Sequence, residues 1–206
     1  MNTPQTVNKI FQRLHPFHGV IVFILVMMLA DWLWKFFVHD GNYEPIVTLF
    51  GINITWPFRL VQHEIVRVTG LVFQLFHIPF GLLGGTVFVF DNKQSTEIAW
   101  GCTGLKQGFI FACIIIFSRG SWKNKWWYIL VGLLAVHVIN VARISIVGAV
   151  LSRNPGAFDL VHTYFFKYIF YFIIFLMWVL WGEMFYLRPL RKALKKEEQQ
   201  EESVLA

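Results

Sequence analysis

The chain has 206 residues, of which 56% are hydrophobic, 18% aromatic and 15% charged, with 22 Phe and 9 Trp. Such a composition excludes an ordinary soluble domain and indicates an integral membrane protein, with room for one compact bundle of spans and no sizeable soluble domain. The formal net charge of +6 is carried by Lys and Arg clustered beside apolar runs rather than spread in a stripe, so it reads as a topology signal and excludes a nucleic-acid partner.

A membrane helix needs about 20 predominantly apolar residues, and four segments are predicted to meet that need. The first, about 17–38 ("FHGVIVFILVMMLADWLWKFFV"), has an apolar run too long for a cleavable signal peptide and is expected to remain as an anchor. Asp31 and Lys35 within it stand at i and i+4, a spacing at which they neutralise each other. Residues 39–100 follow. In them Arg59, His63, Arg67, Gly70, Gln74 and His77 recur at steps of three and four between apolar neighbours, which predicts an amphipathic helix. That helix either lies on the outer leaflet or turns its polar stripe toward a cavity, and the segment as a whole holds either no crossing or an even number of them. "TVFVF", "DNKQ" and "STEIAW" then read as a short β-hairpin that delivers the chain to Cys102.

The remaining spans are predicted at about 103–118, 126–151 and 163–186, before a basic tail, 187–206, whose end "KKEEQQEE" reads as solvated. Glu183 is expected to pair with that tail. Lys9 and Arg13 precede the first span, Arg119, Lys123 and Lys125 join the second to the third, and Arg188, Arg191, Lys192, Lys195 and Lys196 follow the fourth. By the positive-inside rule these three places, and both termini, are cytoplasmic, and the opposite connections face outward. The fold expected is therefore an all-α membrane bundle of at least four transmembrane helices, a single domain over residues 1–206, with the outward amphipathic helix and hairpin inserted before the second main span.

Only two cysteines occur, Cys102 and Cys113, eleven residues apart. On one helix that is about 16 Å of axial rise, too far for a disulfide. Cys113 lies in an apolar run and reads as inert. Cys102 stands at the outward start of its span between Gly101 and Gly104, glycines that let backbone approach a ligand closely, with Lys106 at i+4; helix dipole and lysine together favour the thiolate. A small apolar packing role is the competing reading of such a cysteine.

In the third span Asn140 and Arg143 share a face, and an arginine at that depth needs the bundle interior or water, and a partner; its competing reading is a structural bond or snorkelling. His137, a turn deeper, reads as an interhelical hydrogen bonder. His162 begins the fourth span, with Asp159 three residues before it either capping the helix or holding the imidazole in one tautomer. Topology directs thiol, guanidinium and imidazole to the same face. Together they suit covalent acyl transfer, with Cys as nucleophile, His as base and Arg as oxyanion donor. No cofactor or metal site is expected, since neither a Gly-rich nucleotide loop nor metal-ligand spacing is present. A small transporter using Asn140, Arg143 and His137, or a non-catalytic assembly subunit, are the competing classes; the wholly apolar "FIIFLMWVLW" does not continue a polar pathway.

"CTGLK" at 102–106, "NVARI" at 140–144 and His162 at the start of the last span resemble the motifs of the exosortase/archaeosortase family of membrane-embedded transpeptidases, over roughly residues 60–186. The short, aromatic-rich chain looks like the family's small Bacteroidetes-type members. The resemblance implies a catalytic triad of Cys102, Arg143 and His162; Lys106, Asn140 and Asp159 are read as supporting residues, and the site is expected to face the periplasm from a bacterial inner membrane. It also implies exported protein substrates whose C-terminal sorting signal has a short motif, a transmembrane helix and a basic tail. The new C-terminus would pass to water or to a lipid or glycan acceptor.

Overall fold

The computed structural model describes the backbone of residues 3–40, 47–188 and 199, and the side chains of residues 19–38, 47–161, 165, 166, 168–188 and 199. The basic cluster from Arg191 to Lys196 and the charged tail after it therefore lie outside the described residues, as do the side chains of Lys9, Arg13 and His162.

Five helices carry the structure: α1 (Thr3–Phe37), α2 (Thr55–Leu75), α3 (Leu105–Phe117), α4 (Trp122–Arg153) and α5 (Phe166–Gly182). Three helical segments are long and apolar enough to cross a membrane: Gly19–Phe37 in α1, Trp122–Arg153, which is α4, and Tyr168–Leu187, which runs from α5 into the π-helical turn Glu183–Leu187 after it. The expected span at 103–118 is a shorter apolar helix, α3, of 13 residues. At about 1.5 Å per residue it rises about 20 Å, less than the roughly 30 Å hydrocarbon core. Helix α4 errs the other way. Its 32 residues rise about 48 Å, so one end stands clear of any bilayer that the other end spans.

Helices α1, α3, α4 and α5 bury one apolar core that includes Phe23, Ile110, Phe111, Val136, Ile174 and Trp181. Its helices approach closely because small residues lie at their contacts, as is usual between membrane helices. A Cβ on Gly132 would overlap the Phe111 ring, and one on Gly108 would sit 3.0 Å from Leu133. The tight α3–α4 connection is held by side chains of α4 and α5: the Trp181 indole donates to the Arg119 carbonyl at 2.9 Å, the Trp178 indole to Ser118 Oγ at 3.0 Å, and Lys125 Nζ to the Ile116 carbonyl at 2.7 Å. Glu183 forms an ion pair with Arg188 at 3.7 Å, at the start of the basic tail as expected.

A second core sits on the far half of α4. Val141, Ile144 and Leu151 pack there against Ile65, Val66 and Phe73 of α2, against Phe88 and Phe90 of a small antiparallel sheet, and against Ile98 just after it. The hairpin expected from the sequence is present as β5 (Val87–Phe90) and β6 (Ser95–Glu97); a third strand, β4 (Phe80–Leu83), flanks it, giving the order β4-β5-β6. At the hairpin turn Asn92 Nδ2 donates to the carbonyls of Leu151 and Ser152 at 2.8 and 3.1 Å, fastening the sheet to the end of α4. A second three-stranded sheet, β1 (Val38–Asp40), β2 (Val47–Leu49) and β3 (Ile52–Asn53), links α1 to α2.

Helix α2 is amphipathic, with Arg59, His63, Arg67 and Gln74 exposed. Gly70 departs from the expected polar stripe: it is buried, and Phe80 lies 3.4 Å from where its Cβ would be. Leu60, Leu71 and Leu75 are exposed beside the polar positions. An exposed face that is polar along one edge and apolar along the other suits a helix lying in a membrane interface.

Because Gly132 packs where a methyl group cannot go, Gly132→Ala is expected to lower stability by about 1–3 kcal/mol through overpacking. Gly182, whose Cβ would meet nothing within 4 Å, serves as the control: Gly182→Ala should leave the thermal unfolding midpoint in lipid nanodiscs unchanged or slightly raised, since Ala favours helix by up to about 1 kcal/mol. Equal midpoints for the two variants would contradict the tight α3–α4 contact.

Candidate active site

Cys102 closes a short helical turn, Trp100–Cys102, that joins β6 to α3. The turn is set by backbone bonds from Cys102 N to the Ala99 carbonyl at 2.9 Å and from Thr103 N to the Trp100 carbonyl at 3.0 Å, with Thr103 Oγ1 donating to the same Trp100 carbonyl at 2.6 Å. Gly104 then takes a left-handed conformation, φ 76°, and α3 begins at Leu105. Only glycine adopts that conformation without strain. A Cβ there would also lie 3.0–3.2 Å from the Asn140 side chain. Where the sequence suggested close approach of a ligand, the group against Gly104 is therefore Asn140 on α4, and a Cβ on Gly101 would meet nothing within 4 Å.

That approach has a purpose in the fold. Asn140 is 0% exposed, and its Nδ2 donates to the Cys102 carbonyl at 2.7 Å. The bond ties the cysteine turn to α4 at the point where the two apolar cores meet, between Val136 of one and Val141 of the other. Asn140 Oδ1 and Arg143 Nε are both buried and without a hydrogen-bond partner among the described residues. Arg143 lies one helical turn from Asn140, and its positive charge acts on the Cys102 thiol.

Two expectations about the thiol need correction. Lys106 does not serve it: the Lys106 ammonium is 2.6 Å from Asp31 Oδ1, and Asp31 Oδ2 is 2.7 Å from Lys35. The pairing of Asp31 with Lys35 is present as expected, but Asp31 also draws Lys106 across to α1. Nor is the thiol acidified. Burial, the largest influence, raises its pKa above the ordinary 9.0; the Arg143 guanidinium and the backbone at Ala99 oppose the rise without cancelling it, and Glu97 adds to it. Any benefit from the α3 dipole is diminished because the helix starts three residues beyond the cysteine.

Both cysteines are free thiols, and Cys113 is half-buried against the first core. His162 falls in a π-type turn, Leu160–Phe165, ahead of α5; its imidazole lies outside the described residues. Asp159, exposed at the head of that turn, makes no side-chain cap hydrogen bond, so the capping alternative does not hold. His137 forms no interhelical hydrogen bond among the described residues. It instead lines an apolar cavity of about 450 Å³ beside the cysteine turn, with Trp34, Phe58, Thr103, Gly104 and Phe109.

The sequence reading missed Gln62. It sits on the core-facing side of α2, and its Nε2 donates to the Ile98 carbonyl at 2.5 Å while Oε1 accepts from the Trp100 indole at 2.9 Å. The available signal was an amide at a core position of the α2 period, between Phe58 and Ile65, where an unpaired polar group would be costly.

The raised thiol makes a direct expectation. In a Cys113→Ala background, where Cys102 is the sole thiol, alkylation by iodoacetamide should show a pH midpoint above 9.0, because the thiolate is the reactive form. Arg143→Gln removes the charge that favours the thiolate and should move that midpoint higher still. A midpoint at or below the ordinary cysteine value in the unsubstituted site would contradict the rise that burial causes.

No curated protein and no solved structure matches the chain. A family model described as transmembrane exosortase does match, over residues 43–179, well over half of the 206 residues, and the match contains Cys102, Asn140, Arg143 and His162. With its membrane-crossing helices, this multi-pass chain belongs to the transmembrane exosortase family, whose members are generally cysteine-type peptidases or transpeptidases.

Proposed function

We propose that the chain is a membrane-embedded cysteine peptidase or transpeptidase that cuts the C-terminal sorting signal of exported proteins at the outer face of the bacterial inner membrane. The whole chain acts as one membrane unit with both termini cytoplasmic. The observation that carries the reading is the Asn140 bond of 2.7 Å that fixes the Cys102 carbonyl to α4, one helical turn from Arg143, whose buried Nε has no hydrogen-bond partner among the described residues and whose charge favours the Cys102 thiolate.

In the mechanism, Cys102 Sγ attacks the scissile carbonyl, and the Arg143 guanidinium stabilises the oxyanion that forms. His162 takes the thiol proton and delivers it to the departing amine, leaving a thioester on Cys102. The imidazole then removes a proton from the acceptor, which is water for hydrolysis or an amine or hydroxyl of a lipid or glycan for transfer. A thiol raised above its ordinary value is protonated at neutral pH, which gives a general base a necessary task. Asn140 holds the turn, and Lys106 contributes through its bond to Asp31 by anchoring the start of α3 to α1. The apolar cavity beside Thr103 and Gly104 has room for apolar side chains flanking the scissile bond.

Orientation is supported by charge. Arg119, in the connection after α3, and Lys123, in the first turn of α4, lie at the C-terminal end of α3, opposite the end next to Cys102. With the basic loop inside, the thiol faces out.

Processing of a tagged substrate bearing a C-terminal motif, transmembrane helix and basic tail tests the reading. Cys102→Ala should abolish it, Cys113→Ala should preserve it, and Arg143→Gln should slow it by about 100- to 1,000-fold, the usual cost of losing an oxyanion donor. Unchanged processing in Cys102→Ala would end the proposal.

A further inference from the structure

The buried positions of α2 are apolar or small with one exception, Gln62, which is 6% exposed. A buried amide is tolerated when its polar atoms are bonded, and Gln62 bonds at both ends. Its Nε2 donates to the carbonyl of Ile98, at the end of β6, and its Oε1 accepts from the indole of Trp100. These partners bracket Ala99. The carbonyl of Ala99 receives the Cys102 N–H, and the carbonyl of Trp100 receives both the N–H and the hydroxyl of Thr103. Gln62 thus grips the three residues from which the cysteine turn hangs. Phe58, one turn earlier on α2, packs on the Trp100 ring with centroids 6.2 Å apart.

Seen from the thiol, the turn is held on two sides. Asn140 holds the Cys102 carbonyl from α4; Gln62 holds the approach to it from α2. With only the first bond, the turn could swing about the Cys102 carbonyl, and Sγ would leave its setting against Arg143. We infer that Gln62 is a positioning residue for the nucleophile, its amide fixing the rotational setting of the Cys102 turn relative to Arg143 through Ile98 and Trp100. The inference rests on the reading of Cys102 as the nucleophile. It assigns to α2 a part in the chemistry as well as in the packing.

The test uses the full chain in membranes or nanodiscs, with Gln62→Met, Gln62→Glu, Trp100→Phe and the Gln62→Met/Trp100→Phe double variant. Three quantities are followed: sorting-signal processing, the alkylation profile of Cys102 against pH in the Cys113→Ala background, and the thermal unfolding midpoint. Gln62→Met should slow processing about 10- to 100-fold, the scale of a displacement near 1 Å at a reacting centre. It should also shift the alkylation profile of protein that remains folded. Trp100→Phe should have a smaller effect and add little to Gln62→Met, since the bond it removes is one of the two that Gln62→Met removes.

Gln62→Glu separates positioning from bulk packing. A protonated carboxyl can donate to the Ile98 carbonyl and accept from the Trp100 indole as the amide does; an ionised one cannot donate. Its processing rate relative to the unsubstituted chain should therefore stand near one at low pH and fall as pH rises. A wild-type alkylation profile in folded Gln62→Met would overturn the inference, as would a loss of processing that only follows the loss of folded protein. Failure of the nucleophile reading looks different: Cys102→Ala would then process normally, while the alkylation profiles would still report whether Gln62 sets the turn.

Discussion

The hydrogen bond from Asn140 to the Cys102 carbonyl lies where two apolar cores, both built on α4, meet. On one side of it α1, α3, α4 and α5 bury a core of membrane-helix type; on the other, α2 and the β4-β5-β6 sheet pack on the C-terminal half of α4. The bond requires the chain to turn sharply just before α3 and to pass very close to α4, and Gly104 meets both demands, with φ 76° and no Cβ to strike Asn140. In a low-dielectric interior such a bond is strong, and an unpaired amide would be costly. Asn140 thereby fixes where the first core ends and the second begins, and the cysteine lies at that seam.

Charge is distributed around the seam with the same economy. Asp31 takes both lysines near it, Lys35 along its own helix and Lys106 from α3. An acidic residue shared by two cations leaves neither strongly available to a third group. Arg143 has no carboxylate partner among the described residues, and its Nε lacks a hydrogen-bond acceptor there. An arginine so placed at depth is expensive to maintain. The positive charge that Cys102 feels is therefore that of Arg143 and not of the lysine nearer in sequence.

Much of this was legible in the sequence. Long apolar runs located α1, α4 and α5, since burial in lipid demands continuous hydrophobicity; "TVFVF", "DNKQ" and "STE" located the hairpin because strand alternation and turn residues are local signals. Strand β4, reading Phe-Gly-Leu-Leu, carried no alternation to betray it. The misreading of Lys106 came from the same limit: spacing along one helix names neighbours in sequence, whereas Asp31 competes from another helix. Gln62 carried no local signal of its partners: the exposed stripe of Arg59, His63 and Arg67 marks the helix, whereas Gln62 lies on the buried face and its partners are 36 and 38 residues away.

The mismatch of helix lengths accounts for the burial of the thiol. Helix α3 is about 10 Å too short for the hydrocarbon layer, so its starting end is recessed if its other end sits at the basic interface. A cysteine at that recessed end would meet lipid unless protein covered it. The extra length of α4 supplies a support for the cover, and α2 with its sheet is that cover, fastened by Asn92 at the far end and by Gln62 and Trp100 beside the cysteine. Under that cover burial outweighs Arg143 and raises the thiol pKa. On the proposed mechanism this is an advantage. A resting thiolate facing the periplasm would be exposed to oxidation, whereas a protonated thiol becomes a nucleophile only when its proton is taken by a base, with Arg143 already in place for the negative charge that then develops.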